Sequence, residues 1–333
     1  MSILREIDFP EGLGKMYQRI FCHIRNSGET AHRLATHLLV WLKYRATAMS
    51  TKQTRRALSN AAVWSMGDQS NDILDFEKAA LIACAGVVEI CPLPSNSEVT
   101  NILKFSHLSV KEMLDWPNTT FESEDQAGQP RLQMIPASSS FVMNLRLATQ
   151  CLQQLLYYTP IQSLACKFGT NVSAATVGRA LPFTDYAALY WMYHATGSRF
   201  ELDPESPGPP TILSASFLDA FRVFSKELRT FLESPKSLSV WLETYYTTKL
   251  GTSPSGTKLR SWASWLSDLS QKGLLNVDSQ LLGLIFEFRS DLDRIIAIWD
   301  EATAVNFSAG SLFFFSGGVW VISRAPQRPS IAV

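Results

Sequence analysis

Between positions 101 and 114 the chain reads NILKFSHLSVKEML, and Ser106, His107 and Ser109 fall within four positions of one another. A hydroxyl beside an imidazole is the starting material of nucleophilic catalysis, in which the ring takes the hydroxyl proton. A hydrolase also sets its serine on a strained elbow, usually GxSxG, with oxyanion donors nearby and a carboxylate orienting the histidine. None of these accompanies the cluster. Ser109 is followed three residues later by Glu112 and by an apolar pattern, which is the signature of a capping box at a helix start. The expectation is a strand ending at Ser106, a half-buried pivot at His107 whose ring bonds to nearby backbone, and a helix capped by Ser109. No catalytic residue is assigned, and the chain is not read as an enzyme.

Other combinations that could do chemistry fail on spacing. GTSPSGTK (251–258) has two glycines at P-loop separation, but Thr257 stands where the lysine must be, and the segment before it is helix-patterned. RIIAIWDEA (294–302) imitates a metal-binding strand with Asp300 and Glu301, yet it belongs to a long helical register running through Trp299. His32 and His37 are five apart and so do not share a helical face, which removes the HExxH zinc geometry. The five cysteines are scattered, with neither a disulfide framework nor CxxC spacing, and read as reduced, mostly buried thiols. No cofactor and no metal is expected.

The elements that position these residues follow from periodicity. Leu13, Tyr17, Ile20 and Ile24 recur at helical spacing until Gly28. Leu34, Leu38, Trp41 and Leu42 form the face of a second helix, Ser50 and Gln53 a capping box for a short third, and Phe76, Ala79, Ala80 and Ala83 a fourth. The period then shifts toward two. VVEIC (87–91) and EVTNILKF (98–105), separated by PLPSNS, read as a hairpin. Helices followed by a two-stranded wing is the winged-helix order, so 1–116 is read as a winged-helix domain and the polar segment 117–140 as an exposed linker.

Beyond it the signals are helical. A helical domain is expected over 141–203, including a helix in which Pro182 takes an N1-like position and Phe183, Ala187, Tyr190, Trp191 and His194 lie close together at helical spacing. The aromatic group Tyr186, Tyr190, Trp191 and Tyr193 reads as core before it reads as a ligand platform. A linker over 204–212, a C-terminal helical segment over 213–305 and an irregular aromatic tail over 306–333 complete the division. The fold class is mainly α: a winged-helix domain with a small β-hairpin wing, then an α-helical array.

With 333 residues, 46% of them hydrophobic, and thirty basic residues balancing thirty acidic ones, the chain can bury a large core and has no net charge to attract a polyanion. The N-terminus lacks an apolar leader core, and the strongest apolar run, SLFFFSGGVWVIS, is too short to span a bilayer, so a cytoplasmic, non-membrane protein is expected. Winged helices often read the DNA major groove with their third helix. Lys43, Arg45, Lys52, Arg55 and Arg56 make a basic group that can touch phosphates, with Lys52, Arg55 and Arg56 as its centre. The helix DFEKAALIACA, however, carries Asp75 and Glu77 against Lys78 and looks built to be buried, so a solvated face or an acidic protein partner is the preferred reading of that patch.

The order of these signals resembles the fungal NACHT-type STAND proteins, also called NLR-like, in the region after their nucleotide-binding module. FPEGLGKMYQRIFCHI (9–24) is similar to that family's Leu-Pro-x-Gly-Leu-x-x-Tyr helix, and LLVWLKYRATAMSTKQTRRAL (38–58) to its Trp-Leu helix and following turn. ILKFSHLSVKEML (102–114) is similar to its His-x-Ser-Val-x-x-Tyr-Leu junction. LATQCLQQLL (147–156) and LPFTDYAALYWMYHA (181–195) look like its later helices, the second with the pattern Pro-Phe-x-x-Tyr-Ala-x-x-x-Trp-x-x-His. Phe9 stands where the family usually has Leu, and Met113 where it has Tyr. The winged-helix module also carries the name of a GPI inositol-deacylase family, which refers to neighbouring domains and implies no deacylase.

The resemblance implies a non-catalytic regulatory arm, truncated and lacking the NTPase, that relays contacts between a nucleotide switch and C-terminal sensor repeats. Its partners would be proteins or a NACHT NTPase module. Tyr17, Trp41, Leu42, Ser106, His107, Ser109, Glu112, Pro182, Tyr186, Trp191 and His194 are the structural and interaction residues expected on this reading. Trp41/Leu42 and Tyr190/Trp191 are expected to hold the two domains in one relay. The alternative is a winged-helix nucleic-acid-binding protein.

Overall fold

The computed structural model describes residues 11–59, 75–94, 99–115, 140–158, 180–198, 214–248, 256–272, 275, 277–286, 311–316 and 319–324. The chain divides into two compact units, Met1–Ser138 and Ser139–Val333. The division falls inside the segment expected to be a linker.

In the first unit α1 (Glu11–Asn26) buries Gly14, Tyr17, Phe21 and Ile24, a stripe at three- and four-residue spacing, while Lys15, Met16, Arg19 and His23 face solvent. Gly28 at φ 98° separates it from α2 (Glu29–Tyr44), a backbone angle that suits glycine and explains why the first helix stops there. α2 is the central helix: every residue from His37 through Leu42 is buried, and α1, α3 (Thr51–Ser59) and α4 (Phe76–Ala83) pack on it. The box expected at the start of α3 is present in full. The Ser50 amide donates to Gln53 Oε1 at 2.8 Å, and the Gln53 amide donates to Ser50 Oγ at 3.1 Å.

The wing is β1 (Val88–Pro94) paired antiparallel with β2 (Val99–Phe105), in a register that sets Val88 opposite Phe105 and Glu89 opposite Lys104. Pro92 and Pro94 fit β1 because β2 is its only neighbour among the described residues, and a strand edge needs no N–H on its open side. On the other side of β2, Ser50 forms an isolated antiparallel bridge with Ile102. Among the described residues the order helix, bridge, helix, helix and then two paired strands is that of a winged helix, with α2, α3 and α4 as its three helices and Ser50 as its first strand. The periodicity of the sequence had no signal for a one-residue strand.

α4 is capped by Asp75, whose carboxylate accepts from the Lys78 amide at 3.0 Å. Phe76, Ala80 and Ala83 are buried, but Leu81 and Ile82 are exposed. The helix that looked built to be buried thus buries one face and presents Leu81 and Ile82 to solvent. α5 (Leu108–Asp115) ends the described part of the unit.

The second unit is an α-helical array. α6 (Ser140–Gln153) continues into a π-helical turn, Gln154–Tyr158, and packs most extensively on α7 (Thr184–Gly197) and α8 (Ala215–Leu232). α9 (Pro235–Thr248) and α10 (Gly256–Gln271) follow, and residues 279–286 are helical. Trp191 is the centre of the core, edge-on to Phe231 at 5.7 Å and to Trp241 at 6.2 Å, and the Trp241 indole N–H donates to the Ala188 carbonyl at 2.9 Å. Aromatic rings packed edge-on in this way hold helices α7, α8 and α9 at fixed spacing.

Two expectations for this unit are corrected. Pro182 does not occupy the first turn of α7, because the N-cap is Phe183 and the proline lies in the turn before it. The tail expected to be irregular contains β3 (Ser311–Ser316) and β4 (Val319–Arg324), paired antiparallel. Its aromatic, β-leaning run found its partner within itself rather than in a distant strand. The segment resembling a metal-binding strand, 294–302, lies outside the described residues, and no described helix is long and apolar enough to cross a membrane.

Candidate functional site

At the start of α5 the opening cluster becomes a hydrogen-bond chain. Tyr17, 4% exposed, sends its hydroxyl to Ser109 Oγ at 2.5 Å, and the same Oγ lies 2.6 Å from His107 Nδ1. The Ser109 backbone N–H also points at Nδ1, at 3.1 Å. A backbone N–H can only donate, so Nδ1 is an acceptor and a neutral ring carries its proton on Nε2. The order of the hydroxyls follows: Tyr17 donates to Ser109, and Ser109 donates to His107.

His107 is thus the residue that caps α5, its ring accepting the N–H that a serine or aspartate side chain usually takes. Ser109 lies inside the helix and is buried, so the expectation that it caps the helix is corrected, and Glu112 is exposed. His107 is exposed rather than half-buried, although its ring bonds to backbone as expected. Ser106 is exposed too, and its N–H closes onto the Val87 carbonyl at 3.1 Å. Both the proton and a lone pair of the Ser109 hydroxyl are committed, and it is enclosed rather than presented on an elbow.

A second constellation lies in the other unit. His194 is fully buried on α7, with Nε2 3.0 Å from the Tyr186 hydroxyl and Nδ1 3.1 Å from Asn144 Oδ1. Asn144 Nδ2 donates to the Gly197 carbonyl at 3.2 Å, which orients the amide with its oxygen toward the ring. The neutral ring therefore donates from Nδ1 to Asn144 and accepts at Nε2 from Tyr186. Burial pushes this histidine down to about 3. Trp191 and Tyr186 are buried, Tyr190 is half-buried against Tyr186, and Tyr193 is exposed, so the stripe is core along most of its width.

The basic patch is only partly displayed. Lys52 is exposed, whereas Arg55 and Arg56 are half-buried and neither is free of partners. Lys43 turns inward, donating to the Leu114 carbonyl at the end of α5, with its ammonium 5.1 Å from the centre of the Tyr44 ring. Trp41 and Leu42 are buried in the first unit, and Trp191 is buried against residues of the second.

His37, buried on α2, is pushed down to about 4, first by desolvation and then by the charges of Arg33 and His32. Burial likewise raises the thiols of Cys84, to about 12, and of Cys151, which makes both poor nucleophiles. Among the described residues no three His, Cys, Asp or Glu side chains gather as metal ligands.

Glu227 of α8 is a residue the sequence reading missed. It is 7% exposed, and it accepts from Gln153 Nε2 at 3.3 Å and from the Tyr157 hydroxyl at 2.9 Å. Burial and the adjacent carboxylate raise the Tyr157 phenol above its ordinary value. Gln154 Nε2 donates to Thr184 Oγ1 at 2.7 Å, fastening the same turn to α7. Gln150, Gln153 and Gln154 occupy the buried face of α6 and its continuation. Three amides at helical spacing on an apolar face were the available signal. No family model, no curated protein and no solved structure matches the chain.

Proposed function

We propose that the chain is a non-catalytic interaction arm of the fungal NLR-like NACHT type, working in the cytoplasm and transmitting contacts between a nucleotide-dependent module and a sensor region. The observation that carries this reading is the hydrogen bond between Tyr17 and Ser109. Tyr17 belongs to one of the segments that resemble the family and Ser109 to another, 92 positions away, and the fold brings them together. Within a third such segment Tyr186 and His194, two turns apart on one helix, are bonded to each other. Residues from the segments that carry the resemblance thus act as mutual structural partners, as expected of a scaffold, and the winged-helix topology of the first unit agrees with the module the resemblance implies.

The test is binding of the full chain to a separately produced fungal NACHT NTPase module loaded with ADP or with a non-hydrolysable ATP analogue, read by calorimetry. The proposal expects an affinity that differs at least several-fold between the two nucleotide states. No binding in either state, or equal binding in both, rejects the relay.

A further inference from the structure

Glu227 is buried, yet among the described residues the groups that reach it are neutral: the Gln153 amide and the Tyr157 hydroxyl, with no ion pair. Removing a carboxylate from water is costly unless charge or enough donors replace the lost hydration, and two neutral bonds do so only in part. Each carboxylate oxygen has two acceptor positions, and one donor at each leaves the set half filled. The surroundings add acceptors rather than donors. Gln153 Oε1, on the same amide whose nitrogen touches the carboxylate, has no hydrogen-bond partner among the described residues, although Gln153 is only 6% exposed. Gln150 Oε1, one helical turn earlier on the same face, is likewise without one, at 1% exposure. Turning the Gln153 amide over would set its oxygen against the carboxylate, so the unpartnered oxygen is not relieved by a flip. The helix changes to π geometry immediately after Gln153, a distortion that recurs at functional sites.

We infer that Glu227, Gln153 and Gln150 form a buried binding site for a monovalent cation of the sodium, potassium or ammonium class. A cation takes oxygen ligands, the unpartnered atoms of Gln150 and Gln153 are oxygens, and a single positive charge balances the single carboxylate. A divalent ion would leave an uncompensated positive charge beside the single carboxylate, which burial penalises. A water molecule would satisfy the two amide oxygens but leave the buried charge unbalanced. Tyr157, 58% exposed with its hydroxyl on Glu227, marks the side on which the site meets solvent.

The test uses the full chain at constant ionic strength, with potassium or sodium nitrate replacing tetramethylammonium nitrate, whose methyl-covered cation cannot be coordinated by oxygen. Thermal unfolding should shift upward with potassium or sodium and saturate, and thallium NMR should show a broadened line that sharpens on adding potassium. In Gln150→Leu, which keeps the volume and removes one unpartnered oxygen, the shift and the broadening should fall at least several-fold while the protein stays folded. Glu227→Gln should abolish both. Identical melting in all three salts with no thallium broadening overturns the site, and so does a response that Gln150→Leu and Glu227→Gln leave unchanged.

Discussion

The Tyr17 hydroxyl and the Ser109 hydroxyl lie 2.5 Å apart although 92 positions separate them in the chain. The bond ties α1 to the start of α5, and through Ser109 it also holds the ring that caps that helix. A local feature, the helix start, is therefore set by a distant one.

Because the two hydroxyls are buried, removing one leaves the other without its partner. Ser109→Ala should destabilise the first unit by about 1–3 kcal/mol, and Tyr17→Phe by about 1 kcal/mol. The double variant should cost less than the sum, with a coupling of at least about 0.5 kcal/mol, measured by urea denaturation. Strict additivity would show that the bond does not carry the stability assigned to it. His107→Ala should lower stability by about 1 kcal/mol through loss of the cap.

The contrast between two similar motifs shows what was legible in the sequence. Ser50 and Gln53 satisfy each other within one turn, so their spacing alone foretold the bonds. Ser109 and Glu112 have the same spacing, but Tyr17 and His107 take the serine hydroxyl, and no local pattern reports a partner 92 positions away. Helices and the wing were legible because their periods repeat. The Ser50 bridge, the Asn144 to His194 bond and the Glu227 contacts were not, because each depends on packing between elements distant in sequence.

Phe183 presents a choice between strain and burial. It sits at φ 77°, in the left-handed region that a bulky residue rarely adopts, and its ring is fully buried and stacked 5.6 Å from Tyr186. Glycine would relieve about 1–2 kcal/mol of backbone strain, whereas losing a buried phenylalanine ring costs about 3–5 kcal/mol. The ring prevails. Phe183→Gly should therefore lower stability by roughly 2 kcal/mol on these magnitudes, and a stabilised variant would show that strain dominates.

For nucleic acid, the presentation of the patch decides the expectation. Lys52 is exposed, but Arg55 and Arg56 are half-buried and engaged, and Lys43 is turned toward α5. A gel-shift titration with duplex DNA at about 0.1 M salt should show no retention at micromolar protein, in contrast with a surface that releases counterions from many phosphate contacts. Retention that falls steeply with salt and disappears in Arg55→Glu with Arg56→Glu would favour the nucleic-acid reading instead.

Stability should fall on mild acidification, and two buried histidines determine the sign. His194 is pushed down to about 3 and His37 to about 4, from an ordinary value of 6.5. Between those values and 6.5 the unfolded chain binds a proton that the folded chain does not, so stability increases with pH. Each contribution is complete above 6.5 and is lost as pH falls, by about 1.4 kcal/mol per unit, toward about 4 for His37 and about 3 for His194. Urea midpoints should accordingly drop between about pH 7.5 and 5, where most carboxylates are still ionised. His194→Leu should be less stable than the parent at about pH 7.5, through loss of the bonds to Tyr186 and Asn144, yet show a shallower decline with acid. A flat midpoint over this range, or an unchanged slope in His194→Leu, would remove the neutral buried ring as the cause.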